Sequence, residues 1–120
     1  MKILIVDDEK LIRDGLKRML EFQEHEVFTA KNGLEALLWL RDNTVDLVVT
    51  DIIMPEKDGI EVILAIRKDR PEQKIIAISG GGRINAQDHL EIALQLGVNA
   101  VLSKPFSANE LFNKIDEVFA

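Results

Sequence analysis

The chain has no cysteine, only three prolines and a deficit of basic residues, with a net charge of −6 over 120 residues. Without cysteine there is no disulfide and no thiolate metal site, which fits a reducing compartment such as the cytoplasm. The acidic balance argues against direct contact with a nucleic-acid backbone, which requires a basic face. Long apolar runs are missing as well. The first, Ile3 to Val6, has four residues, too few for a signal peptide or a membrane span. No internal repeat, low-complexity tract or linker interrupts the chain, and its length fits one domain, residues 1–120.

What is present is a repeating order of short apolar runs and amphipathic stretches. Ile3–Val6 reads as a central parallel strand ended by Asp7 and Asp8. Lys10 to about Phe22 has helical spacing, with Leu11, Ile12, Leu16, Met19 and Leu20 on one face. Glu26–Ala30 is a weaker strand, and Asn32-Gly33 a turn before a helix from Leu34 to about Asp42 with Ala36, Leu37 and Leu40 inward. Leu47, Val48 and Val49 form a strand buried on both faces, with Asp51 at its carboxyl end. Pro55 and Asp58-Gly59 break regular structure there. A helix follows from Gly59 to Lys68, with Val62, Ile63 and Ile66 inward. Lys74–Ile78 is a fourth strand ended by Ser79. Gly80-Gly81-Gly82 forms a hinge before a helix that ends near Leu96, where Gly97 suits a left-handed cap. Val98–Leu102 is the fifth strand and leads to Lys104-Pro105-Phe106. Ser107 and Glu110 have capping-box spacing and open a last helix with Leu111, Phe112, Ile115, Val118 and Phe119.

Five strands alternating with five helices predict an α/β three-layer sandwich, its parallel sheet in the order 2-1-3-4-5. In such a sheet the carboxyl ends of all strands share one edge. Strand one brings Asp7 and Asp8, strand three Asp51, strand four Ser79, and strand five Lys104 two residues past its end. These strands are neighbours in that order. Three carboxylates on one edge repel, and a hard divalent ion with oxygen ligands relieves them; Mg²⁺ with Lys104 brings the formal charge to zero. No histidine or cysteine is placed to hold a softer metal. A carboxylate beside a cation and a lysine can attack phosphorus and form an aspartyl phosphate. The metal and the lysine would stabilise the transferring oxygens, and Ser79 could donate to the same group.

Asp7-Asp8, Asp51 with Met54-Pro55 and Asp58-Gly59, Ser79, and Lys104-Pro105-Phe106 together resemble the receiver domain of two-component response regulators, over essentially the whole chain. The resemblance implies a flavodoxin-like, chemotaxis-type fold and a phosphorylation-dependent signalling switch. Asp51 would be the phosphoacceptor, supplied by a histidine kinase or histidine phosphotransfer protein. Asp8 and Asp51 would hold Mg²⁺ by side chains, Ile53 by its backbone carbonyl, and Asp7 through water. Lys104 would pair with the phosphoryl group. Ser79 would move toward it and shift the face of the fourth helix, fifth strand and fifth helix to control a downstream target protein. Taken as complete, the chain has no effector domain and its output is contact with another protein; cut from a longer protein, it could be followed after Ala120 by a DNA-binding or catalytic domain.

One position departs from the family pattern. Three residues before the lysine, where many members carry Tyr or Phe, stands Val101, which has no ring to swing. A smaller or differently shaped output change is expected. Ile53, apolar and two residues past Asp51, predicts slow self-hydrolysis. It also counts against an aspartate-nucleophile phosphatase, which usually carries an Asp there as acid/base, so no enzymatic turnover is expected. A flavodoxin-like carrier is disfavoured by Asp7-Asp8, which would repel a flavin phosphate, and a phosphate-independent pseudo-receiver by the intact Asp8, Asp51 and Lys104. Gly80–Gly82 lacks the ending of a P-loop. Trp39 lies off its helical stripe and is either packed or partner-facing. His25 and His89 are expected at the surface, and Leu64 as an isolated exposed apolar residue.

Overall fold

A computed structural model of the chain describes residues 1–52, 59–80, 91 and 94–120. The strands are β1 (Lys2–Val6), β2 (Glu26–Ala30), β3 (Leu47–Asp51), β4 (Lys74–Gly80) and β5 (Ala100–Lys104). Four helices are complete among the described residues: α1 (Lys10–Phe22), α2 (Gly33–Leu40), α3 (Gly59–Asp69) and α4 (Ala108–Phe119). The helix expected between β4 and β5 lies largely outside the described residues, as do Ile53, Met54, Pro55, Asp58, Gly81, Gly82 and His89. All strand pairs are parallel, in the order β2-β1-β3-β4-β5. This is the flavodoxin-like arrangement.

Strand alternation sorts the side chains into two cores. Leu4, Val6, Val48, Ile75 and Ala77 face one way and pack with α2 and α3 through Ala36, Leu40, Val62, Ile63 and Ile66. Ile3, Ile5, Leu47, Val49, Ile76, Ile78 and Leu102 face the other way, against Leu16 and Leu20 of α1 and Leu111 and Ile115 of α4. A sheet covered on both faces needs apolar residues at consecutive positions, which is why β1 and β3 read as unbroken runs.

Two strands run further than expected. Ser79 sits inside β4 rather than ending it, and Lys104 is the last residue of β5 rather than lying two past its end. The ladder is the reason: Ser79 pairs with Ser103 and Gly80 with Lys104, so backbone pairing carries on after the apolar run stops. Gly80 accordingly belongs to a strand, not a hinge. β5 begins at Ala100, two residues later than the apolar pattern suggested, after Asn99 donates its N–H to Ile75 O at 2.8 Å.

The helix ends follow their sequence cues. Asn32 does more than turn the chain: its Oδ1 accepts from Glu35 N at 2.8 Å and caps α2. Ser107 and Glu110 form the expected capping box of α4. Gly97 has φ +88° and donates its N–H to Leu94 O at 3.0 Å. α1 ends in a Schellman motif, in which Glu24 N donates to Glu21 O and His25 N to Leu20 O, with Glu24 itself at φ 68°.

Three side chains depart from the helical-stripe reading or refine it. Leu11 is 87% exposed, so the buried face of α1 is narrower than its periodicity suggests. His25 is half-buried, with Nδ1 3.2 Å from the Met1 amine, rather than a plain surface residue. Trp39 packs on Phe28 of the edge strand, ring centroids 4.9 Å apart. Leu64 is exposed as expected.

Candidate functional site

The alternation that sorts the core also aims the site. Asp7 continues the parity of Ile3 and Ile5, Asp51 that of Leu47 and Val49, and Lys104 that of Leu102. All three therefore project toward the α1 and α4 side, at the carboxyl edge of adjacent strands. Lys104 Nζ lies 2.9 Å from Asp51 Oδ2 and 3.2 Å from Asp7 Oδ2. One oxygen from each of Asp7, Asp8 and Asp51 lies within 4.8 Å of the others. Asp7 and Asp51 are buried, whereas Asp8 is exposed and opens the cluster to solvent.

Buried carboxylates need donors, and the chain supplies them. Asp7 Oδ1 accepts from Glu9 N at 2.9 Å, and its carbonyl oxygen accepts from the Arg13 guanidinium at 2.8 Å. Its own N–H donates to Ala30 O at 3.2 Å. Asp51 is held from below by the junction with α3: Ile52 N donates to Ile78 O at 2.9 Å, and Gly59 N donates to Ile52 O at 2.7 Å. Burial pulls the Lys104 ammonium toward neutrality. The hydrogen bond and charge of Asp51, and then of Asp7, outweigh it and hold the pKa above the ordinary lysine value.

Ser79 completes the edge differently. It is fully buried, and its Oγ has no hydrogen-bond partner among the described residues. A buried hydroxyl without a partner is costly and calls for one. The structure thus brings together Asp7, Asp8, Asp51 and Lys104 and sets Ser79 on the adjoining strand, while Ile53 falls outside the described residues.

The donor set suits a hard divalent cation. It offers carboxylate oxygens only, with one member open to water, as Mg²⁺ prefers. The Ser79 hydroxyl, without a partner among the described residues, further suits an oxyanion arriving at the same edge. Arg13 and Gly59 support the site in ways not anticipated from the sequence. Arg13 carried no signal at all, and Gly59 was visible only as half of a turn pair.

Fold and site together define a class: a flavodoxin-like α/β domain whose carboxyl edge carries an acidic pocket braced by a lysine. The chain belongs to the response regulator receiver domain family, whose model matches residues 3–116. Curated relatives include the response regulator MprA of Mycobacterium sp. (strain KMS), 32% identical over 115 residues, covering 96% of this chain and 49% of that protein. The transcriptional regulatory protein CpxR of Escherichia coli (strain K12) is 34% identical over 114 residues, covering 95% and 47%. The chain therefore spans about half the length of these relatives. Among solved structures, a response regulator receiver domain protein from Clostridium thermocellum superposes with a TM-score of 0.88 at 33% identity, covering 98% of this chain and 92% of that one.

No helix among the described residues is long and apolar enough to cross a membrane.

Proposed function

We propose that this receiver domain accepts a phosphoryl group on Asp51 from a phosphohistidine of a kinase or phosphotransfer protein, with Mg²⁺ in the acidic pocket. The observation that carries the reading is the placement of Lys104 Nζ within 3.2 Å of both Asp7 and Asp51. A fixed ammonium at that point can follow charge as it moves onto the phosphoryl oxygens.

A carboxylate oxygen of Asp51 attacks phosphorus. The P–O bond forms as the P–N bond to imidazole breaks, and the electron pair leaves with the imidazole nitrogen. An attacking carboxylate carries no proton to remove, so no general base is needed. Asp8 and Asp51 would hold Mg²⁺ directly, with Ile53 offering its carbonyl and Asp7 acting through water. The ion would supply charge neutralisation on the phosphoryl oxygens. Lys104 exchanges part of its contact with Asp51 for the new oxyanion, and the Ser79 hydroxyl donates to the same group. Movement of Ser79 draws on the end of β4 and alters the surface next to β5 and α4, which a downstream protein reads. Val101 is half-buried against the α2 and α3 core, so this output proceeds without an aromatic rotor. The domain acts as a switch rather than an enzyme on a separate substrate.

Intact-mass measurement after incubation with phosphoramidate and Mg²⁺ tests this. One phosphoryl group is expected, not acquired when the metal is chelated beforehand and absent in Asp51→Asn. An Asp51→Asn chain that still acquires the label refutes the assignment.

A further inference from the structure

Asp8 is the one carboxylate of the acidic pocket that faces solvent, so neighbouring side chains do not pack it into place. Its direction is set by the two peptides that flank it. β1 pairs with β2 and β3 only as far as Val6, which leaves the Asp7 carbonyl beyond the ladder. Arg13 supplies the missing partner, its Nη1 donating to Asp7 O at 2.8 Å. That bond holds the peptide before Asp8. The peptide after Asp8 is held by Glu9 N, which donates to Asp7 Oδ1 at 2.9 Å. Glu9 O in turn accepts from Arg13 N at 3.0 Å, the first helical bond of α1. Asp8 is thus the single residue between two fastened peptides, and Arg13 fastens one directly and braces the other.

The Arg13 guanidinium has no other assigned work. Among the described residues it forms no ion pair, although acidic side chains lie on the same helix. It is half-buried, which limits competition from water for the carbonyl. Without this tie the peptide joining Asp7 to Asp8 would turn toward solvent, and the Asp8 carboxylate with it.

We infer that Arg13 is a positioning residue for the divalent ion: by fixing the peptide between Asp7 and Asp8 it aims the Asp8 carboxylate into the pocket and sets the affinity for Mg²⁺. This rests on the acidic pocket being the ion's site. Two effects of Arg13 oppose each other. Its positive charge repels a cation, but solvent at the open side of the pocket screens that repulsion. Its hydrogen bond orders a ligand, and losing such an outer-shell bond typically costs about 10–100-fold in metal affinity. Mg²⁺ keeps several waters and leans on few protein ligands, which places the effect at the lower end. Ordering therefore outweighs repulsion.

The test is a Mg²⁺ titration followed by amide NMR on the unsubstituted chain, Arg13→Ala, Arg13→Lys and Arg18→Ala. Arg18 is exposed on the same helix, so its substitution removes an equal charge and no tie. Arg13→Ala should bind Mg²⁺ about tenfold more weakly, Arg13→Lys should lose less because an ammonium still donates, and Arg18→Ala should stay within about twofold. With phosphoramidate, Arg13→Ala should need about ten times more Mg²⁺ for its half-maximal rate and approach the original rate at saturating metal. A general loss of folding would not give that split. Unchanged or tighter Mg²⁺ binding by Arg13→Ala overturns the inference, and so does an equal loss in Arg18→Ala. If Arg13→Ala does not fold, Arg13→Lys decides alone: weaker binding upholds the tie and unchanged binding overturns it. An unsubstituted chain that binds no Mg²⁺ would instead sink the reading of the acidic pocket itself.

Discussion

The same substitution at two helical glycines should move stability in opposite directions. At Gly59, the first residue of α3, an added Cβ would lie 2.1 Å from Asp51 O, 2.5 Å from Ile52 Cα and 2.9 Å from the Asp51 carbonyl carbon. All three are backbone atoms and cannot rotate away. The β3–α3 junction would have to open by about 1 Å before a methyl carbon reached ordinary contact. Overpacking of this kind costs about 1–3 kcal/mol and sometimes more, and the better helix propensity of alanine returns at most about 1 kcal/mol. Three backbone clashes put the cost at the top of that range, so we expect Gly59→Ala to lose about 2 kcal/mol net, a drop in Tm on the order of 10 °C for a domain of this size. Because the clash is with the peptide that carries Asp51, phosphoramidate labelling should also fall. Gly15→Ala meets nothing within 4 Å and should gain about 0.5–1 kcal/mol, or about 2–4 °C. Urea melts followed by far-UV circular dichroism measure both. A Gly59→Ala chain as stable as the original, with undiminished labelling, would show that the junction is softer than its contacts imply.

Removing the Lys104 ammonium in Lys104→Met leaves the buried Asp7 and Asp51 without their shared cation. Breaking a buried pair in this way costs about 3 kcal/mol, and added Mg²⁺ should recover part of it in a thermal melt; unchanged stability without metal would contradict the ion-pair geometry. Burial, and then the charge of the Met1 amine, lower the pKa of His25, with Asp116 opposing. The folded state thus prefers the neutral ring, so stability should fall as pH drops below about 6.5 and through the folded value. His25→Gln should remove that component of the pH profile, and an identical profile would assign it elsewhere. Glu24 adopts φ 68° at the Schellman position of α1. A left-handed L-residue costs about 1–2 kcal/mol and glycine's extra chain entropy about 0.5–1 kcal/mol, so Glu24→Gly should stabilise by about 0.5–1 kcal/mol. Glu24→Ala separates backbone from charge, since it should not gain as much.

The acidic pocket was legible because a parallel sheet turns a one-dimensional pattern into a shared edge. Asp7, Asp51 and Ser79 stand at the ends of apolar runs, and the order 2-1-3-4-5, once chosen for five strands, places those runs side by side. Strand limits were less legible. Apolar runs mark where side chains are buried, but the ladder is a backbone property and continues through Ser79, Ser103 and Lys104. Leu11 shows the matching limit for helices. Its spacing from Met19 is that of a buried stripe, yet burial depends on what stands opposite, and none of the described residues covers it.

The features that hold the pocket were the hardest to foresee, and the reason is geometric. Arg13 donates to the carbonyl of a residue six positions earlier, a contact that exists only once β1 and α1 have packed at their actual angle. Gly59 signals a break in sequence, but that its Cα lies against the peptide of Asp51 is a fact about the approach of α3 to β3. Side-chain chemistry thus announces which groups meet, whereas the precision with which they meet is set by backbone contacts that leave little trace in residue type. The pair of glycines makes the point testable. They are the same residue in the same kind of element, one indispensable to the fold and the other a cost to it, and only the space around each tells them apart.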